Sequence, residues 1–231
     1  MGDVARLPYG TKSPLVVQKY AQGCFGFLTR HEVKLAVVAC NTATAVALGN
    51  LRENAKIPVL GVIESGVKAG VLASRNQKVL VLATESTVRS KAYPKEFARQ
   101  AHEVSVEQVS CPLLVPLAEA GWFEHPITQE ILKTYLSEAK DPDFDTVVLG
   151  CTHYPLLEAS LRSLVGEERS LVHSGDALAE EVFQQLQHSQ KLNPSSQQGN
   201  IKFYATDHVS RELPILGALF GEKIEFHLVD L

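Results

Sequence analysis

Ala36-Val37-Val38-Ala39-Cys40-Asn41-Thr42-Ala43-Thr44 and Val147-Val148-Leu149-Gly150-Cys151-Thr152-His153-Tyr154-Pro155 read as two copies of one local design. In each, an apolar run rich in valine ends in cysteine, and small hydrogen-bonding residues and a helical pattern follow at once. A short apolar run of this kind is the mark of a buried strand in a parallel sheet. Ligands of such sheets bind just beyond the carboxyl ends of the strands. Cys40 and Cys151 are therefore expected where chemistry happens in this architecture, one from each half of the chain.

Outward from these two stretches, strand and helix patterns alternate. Ser13 can cap a helix that starts with Pro14 and runs to about Arg30. Strands are expected over 34–39, 58–62, 78–83, 103–109, 145–149, 170–173, 201–205 and 224–228. Helices are expected over 42–54, 65–74, 112–120, 127–139, 154–164, 177–187 and 211–220, with a further one over 87–100 interrupted near Pro94. The polar stretch 188–199 reads as an exposed loop. Alternation of this kind points to an α/β fold with mainly parallel sheets flanked by helices.

Composition bounds the rest. A length of 231 residues fits one large domain or two small ones, and 45% hydrophobic with 21% charged residues is enough for a sizeable core. A formal charge of −4 with no Lys/Arg cluster gives no reason to expect nucleic acid. Neither a signal peptide nor a bilayer-spanning run is present in the sequence, so a cytoplasmic protein without a membrane partner is expected. The four cysteines, with no CxxC pair, suit free thiols. Cys24 falls in an apolar helical stretch and reads as a core residue, and Cys111 sits in a loop before Pro112.

Further stretches complete a pattern: Gly2-Asp3-Val4-Ala5-Arg6-Leu7-Pro8-Tyr9-Gly10, Pro58-Val59-Leu60-Gly61-Val62, and Ala83-Thr84 with Thr87. To these add Cys111-Pro112-Leu113-Leu114-Val115-Pro116-Leu117-Ala118-Glu119 and Thr206-Asp207. In this order, over nearly the whole chain, they resemble the bacterial glutamate racemases of the cofactor-independent, two-cysteine Asp/Glu type. The resemblance implies two pseudo-symmetric α/β domains with the active site in the cleft between them. Residues 1–63 plus 173–231 would form one domain, and 64–172 the other.

It also implies the roles. Cys40 and Cys151 would be the catalytic pair, each the base for one enantiomer, with His153 helping Cys151. Pro8, Tyr9, Gly10, Asn41, Thr42, Thr87 and Thr152 would surround the glutamate, and Glu119 matches an acidic position near the cleft. No cofactor and no metal are implied, the product would be D-glutamate for peptidoglycan, and a homodimer is allowed for.

The residue types suit that chemistry. Racemisation removes the α-proton from one face of a carbon and returns a proton to the other, so it needs two matched acid/base groups. Thiols have a pKa near 8.5, which lets one be thiolate while the other stays protonated. Plainer readings stand beside these: His153 as a capping or core imidazole, Thr42 and Thr152 as simple helix caps, Glu119 as an exposed helix carboxylate. A zinc site would have one C-x-H pair and one distant cysteine to draw on, short of the usual paired ligands.

The front of the chain departs from the resemblance. Those enzymes open with a strand and an Asp-Ser-Gly turn, which have no counterpart before Gly2-Asp3 here. A start site placed too late is one expectation. A catalytically silent carboxylate-binding homologue, or a related Asp/Glu-type racemase, is the other.

Overall fold

The computed structural model describes residues 1–231 apart from 196–198, 210–213 and 221–223. After a 3-10 turn at Val4–Arg6 the chain passes through a strap carrying Pro8, Tyr9 and Gly10 into α1 (Pro14–Thr29). Pro14 takes the first helical position, where its missing N–H would have had no partner anyway. Then come β1 (Ala36–Val38), α2 (Asn41–Asn54), β2 (Val59–Gly61), α3 (Val62–Ala73), β3 (Lys78–Ala83), α4 (Glu85–Ser90) and α5 (Ala92–Gln100). The second half runs β4 (Ser105–Ser110), α6 (Leu114–Glu119), α7 (Pro126–Ser137), β5 (Thr146–Gly150), a 3-10 turn at Tyr154–Leu157 and α8 (Glu158–Val165). The last elements are β6 (Ser170–Val172), α9 (Gly175–His188), β7 (Phe203–Ala205), α10 (Pro214–Phe220) and β8 (Phe226–Leu228).

Every described strand pair is parallel. The main sheet has the order β4-β3-β5-β6, while β1 pairs with β2, and β7 with β8. Gly2 adds an isolated parallel bridge to Ala205. β5 is buried at all five positions and β3 at all but Lys78, because helices cover both faces of the sheet. Side chains alternate along a strand, so the two faces build two cores. Leu80, Leu82, Val147 and Leu149 meet Leu114, Leu132, Leu157 and Leu161 on one face. Val79, Val81 and Val148 meet Ile63, Val67, Tyr93 and Phe97 on the other. Each fully buried aliphatic or aromatic side chain is worth about 1.5–3 kcal/mol. That tightly held sheet fixes where β5 ends, and Cys151 follows its last residue.

Several boundaries differ from the sequence expectation. The interruption expected near Pro94 falls at Lys91, whose left-handed backbone (φ 56°) separates α4 from α5. Pro94 itself lies in the first turn of α5, where a proline displaces no helical hydrogen bond. α3 begins at Val62, three residues before the expected start, directly after β2. The helix expected over 154–164 is a tight turn containing Pro155 followed by α8. α9 runs to His188, so the exposed loop starts one residue later than expected. Residues 196–198 of that loop and 211–213 of the last expected helix lie outside the described residues.

Candidate active site

Both cysteine segments end at one cavity of about 680 Å³. Cys40 and Cys151 line it together with Pro8, Tyr9, Gly10, Thr42, Glu119, Thr152 and His153. Of the residues expected around the substrate, Asn41 and Thr87 are not among its lining residues, and both are buried. Away from the thiols the cavity has an apolar side that includes Ala21, Phe25, Leu28, Val37 and Leu51. Cys24 belongs to that side and is only half-buried, so it is not the core residue expected from its helical stretch.

The two thiols have unlike surroundings. Cys40 stands at the N-cap of α2, with extended backbone leading out of β1. Burial pushes its thiol up, and hydrogen bonds from the backbone N–H groups of Ala43 and Thr42 and from the Thr42 side chain pull it back. N–H groups at a helix start favour an anion, so this is a seat for a thiolate. Cys151 instead lies in a turn and is almost fully enclosed, and burial pushes it up to about 12. His153 and Thr152 oppose that rise, whereas negative charge on Cys40 or Glu119 adds to it. A charge on one sulfur thus resists a charge on the other. The pair resists carrying two thiolates at once.

His153 is the link between Cys151 and a carboxylate. Its Nδ1 is 3.8 Å from Cys151 Sγ and 3.4 Å from Thr152 Oγ1, and its Nε2 is 3.4 Å from Glu119 Oε1. Burial lowers the imidazole pKa and Glu119 works against it. A neutral imidazole can accept the Cys151 proton, and the carboxylate then steadies the imidazolium. The His153 side chain makes no capping hydrogen bond, and the partly exposed Glu119 carboxylate lies against it.

Three threonine hydroxyls lock the other wall. Thr42 Oγ1 lies 2.9 Å from Thr84 Oγ1 and 3.4 Å from Thr87 Oγ1, and Thr84 and Thr87 are 3.0 Å apart. The expected capping use of Thr42 is absent: α2 has no side-chain cap hydrogen bond. Thr84 lines the cavity and was missed as a site residue, although Ala83-Thr84 stood out in the sequence. The strap packs on it, since a Cβ placed on Gly10 would meet Thr84 Cβ at 2.8 Å. Gly10 also accepts a hydrogen bond from the Ser86 backbone N–H at 2.9 Å.

Tyr9, the buried residue of the strap, donates to Asp3, which also accepts from Arg6 at 2.7 Å and Thr206 at 2.9 Å. Burial and the nearby carboxylate push the Tyr9 phenol well above its ordinary value. It acts as a neutral donor that anchors the strap. Asp3 also borders the cavity and was not singled out from the sequence, where only its place in the Gly2–Gly10 stretch hinted at it. Among the described residues, no three His, Cys, Asp or Glu side chains form a group suited to a metal ion, and no helix is long and apolar enough to cross a membrane.

The chain is similar to known proteins in both sequence and fold. Residues 2–182 match the family described as Asp/Glu/Hydantoin racemase. A glutamate racemase of Geobacter metallireducens is 45% identical over 223 residues, which are 96% of this chain and 83% of that protein. Among solved structures, a glutamate racemase isoform of Bacillus anthracis superposes with a TM-score of 0.94 at 33% identity, over 100% of this chain and 86% of that one. A Francisella tularensis glutamate racemase in complex with D-glutamate gives 0.90 at 31% identity, over 99% and 86%.

Proposed function

The chain belongs to the Asp/Glu/hydantoin racemase family, and on that footing we propose that its cavity interconverts L- and D-glutamate by a two-thiol proton transfer. The observation that carries this is the meeting of Cys40 and Cys151 at a single cavity. One sulfur, as thiolate, takes the α-proton from one face of the substrate and becomes a thiol. The other thiol gives its proton to the opposite face of the carbanion and becomes a thiolate. Charge and protons balance, and the enzyme ends with its two thiols exchanged in state. Mutual repulsion between the sulfurs keeps both from being thiolate at once.

The remaining residues follow from their positions. His153, backed by Glu119, makes Cys151 ionisable in spite of its burial. The α2 N-terminus does the same for Cys40. Thr42, Thr152 and the Pro8–Gly10 strap present hydrogen-bonding groups at the cavity wall, suited to the polar ends of an amino acid. Thr87 supports the wall through its contacts with the Thr42 and Thr84 hydroxyls. The substrate is a small molecule, and D-glutamate for peptidoglycan is the product this reading implies.

Two domains, residues 1–63 plus 173–231 and residues 64–172, belong to the same reading, as do the homodimer and the cytoplasmic location. The domain division is supported by the main sheet drawing all its strands from Lys78 to Val172.

The test is turnover of L-glutamate in deuterated water. Optical rotation is expected to vanish while deuterium appears at Cα. Cys40→Ser and Cys151→Ser should each lower the rate by roughly 10³-fold, as expected for loss of a general acid/base. Racemisation surviving either substitution, or glutamate binding without exchange in the parent, would refute the mechanism.

A further inference from the structure

Between the two cysteine segments lies a residue that meets the chain neighbour of each thiol. Tyr93, on α5, is fully buried and donates from its hydroxyl to Asn41 Oδ1 at 2.7 Å. Asn41 follows Cys40 directly. On the other side, the Tyr93 ring packs against Gly150, the residue before Cys151: a Cβ added there would meet Tyr93 Cε2 at 3.1 Å and Leu82 O at 2.8 Å. The hydroxyl is also close to α3, 3.4 Å from where a Cβ on Gly66 would stand. The rest of the ring is held by the apolar core shared with Ile63, Val67, Phe97 and Val148. An aromatic fixed on all sides in this way has no freedom to follow Asn41. Asn41 must follow it.

The Asn41 amide is the second observation. It is buried, its oxygen is taken by Tyr93, and its Nδ2 has no protein partner among the described residues. That nitrogen is not fully enclosed. A buried amide with one end tied and the other free is an oriented donor. Without the tyrosine hydroxyl, its two ends would be interchangeable, and the oxygen would be as free to turn toward a ligand as the nitrogen. An oxygen there repels a carboxylate. A nitrogen attracts it.

We propose that Tyr93 is a positioning residue for racemisation: it fixes the Asn41 amide with Nδ2 available to the substrate carboxylate, and it sets the Cys40 and Cys151 segments against one rigid ring. The proposal rests on the glutamate reading above. It predicts that the hydroxyl sets ligand affinity, while the ring supplies the packing.

The experiment compares the parent, Tyr93→Phe, Asn41→Ala and the double variant. Binding of D-glutamate is followed by calorimetry, turnover by polarimetry and stability by urea unfolding. Tyr93→Phe is expected to raise both the Kd and the KM for either enantiomer about tenfold, the scale of one lost hydrogen bond, with little change in kcat and a lowered urea midpoint, because the buried Asn41 oxygen loses its partner. Because Tyr93 acts through Asn41, the double variant should bind no more weakly than Asn41→Ala alone. Unchanged affinity in Tyr93→Phe, a loss of stability without loss of affinity, or effects that multiply in the double variant would each overturn the proposal. A parent that binds glutamate without exchanging its α-proton would sink the racemase reading and leave the calorimetric comparison valid. A parent that does neither would end both.

Discussion

Adding one methyl group at Gly10 tests the assembled site more sharply than removing a thiol. A Cβ at Gly10 would lie 2.8 Å from Thr84 Cβ, 3.0 Å from Cγ2 and 3.4 Å from Oγ1. Carbon pairs rest at about 3.5–4.0 Å, so the shortfall is roughly 0.7–1.2 Å. Thr84 cannot relieve it by turning, because rotation leaves its Cβ in place and breaks the bonds to Thr42 at 2.9 Å and Thr87 at 3.0 Å. The strap can retreat only by giving up the Ser86 N–H bond to Gly10. Either route amounts to overpacking, and Gly10→Ala should cost about 1–3 kcal/mol of stability. A strap displaced by about 1 Å should also cost roughly 10² in turnover, since reacting groups tolerate little misplacement. Urea unfolding and polarimetric racemisation of L-glutamate measure the two losses. A Gly10→Ala protein with its urea midpoint unmoved and kcat/KM within about threefold of the parent would refute the packing of strap against threonine cluster.

Two further outcomes follow from charge. Glu119→Gln removes the group that holds the His153 pKa up against burial, so the acid limb of the kcat/KM profile should move to lower pH and the neutral rate fall about tenfold. A limb that stays put or moves upward contradicts the Cys151–His153–Glu119 chain; the urea midpoint should not change, because that carboxylate is partly exposed. The second concerns alkaline stability. Burial raises the Cys111, Cys151 and Tyr154 groups in the folded chain, so it retains protons that the unfolded chain releases from about pH 8.5 upward. Their contribution is complete below that pH and is lost as pH rises toward the folded values, about 12 for Cys151, by up to ~1.4 kcal/mol per pH unit for each group. Unfolding midpoints measured over about pH 8–11 should decline, and Cys111→Ala should make the decline shallower. A flat profile would show that these groups are not buried as described.

Much of this arrangement could be read from the chain itself. β3 and β5 are continuous apolar runs because both faces are covered, and their outlines match the expected ones within a residue. The cysteines announced themselves by ending such runs. What stayed hidden depended on contacts between distant segments. Nothing in the spacing of Glu119 and His153 tells that α6 brings one to the other, and Thr84 meets Thr42 from 42 residues away. Tyr93 looked like any aromatic in an amphipathic helix. Lys91 misled for a different reason: a left-handed residue is usually signalled by glycine or asparagine, so the adjacent proline drew the break to itself.

The unlike settings of the two sulfurs, one at a helix start and the other beside an imidazole, have a thermodynamic consequence. Enantiomers have equal free energy in an achiral solvent, so the equilibrium constant is one whatever the catalyst. The ratio kcat/KM must then be identical in both directions, however unequal the two halves of the machinery become. Damage confined to one sulfur's surroundings can make kcat asymmetric only by making KM asymmetric in the same proportion. The lopsided architecture is free to tune which enantiomer saturates the protein first, and has no power over where the reaction comes to rest.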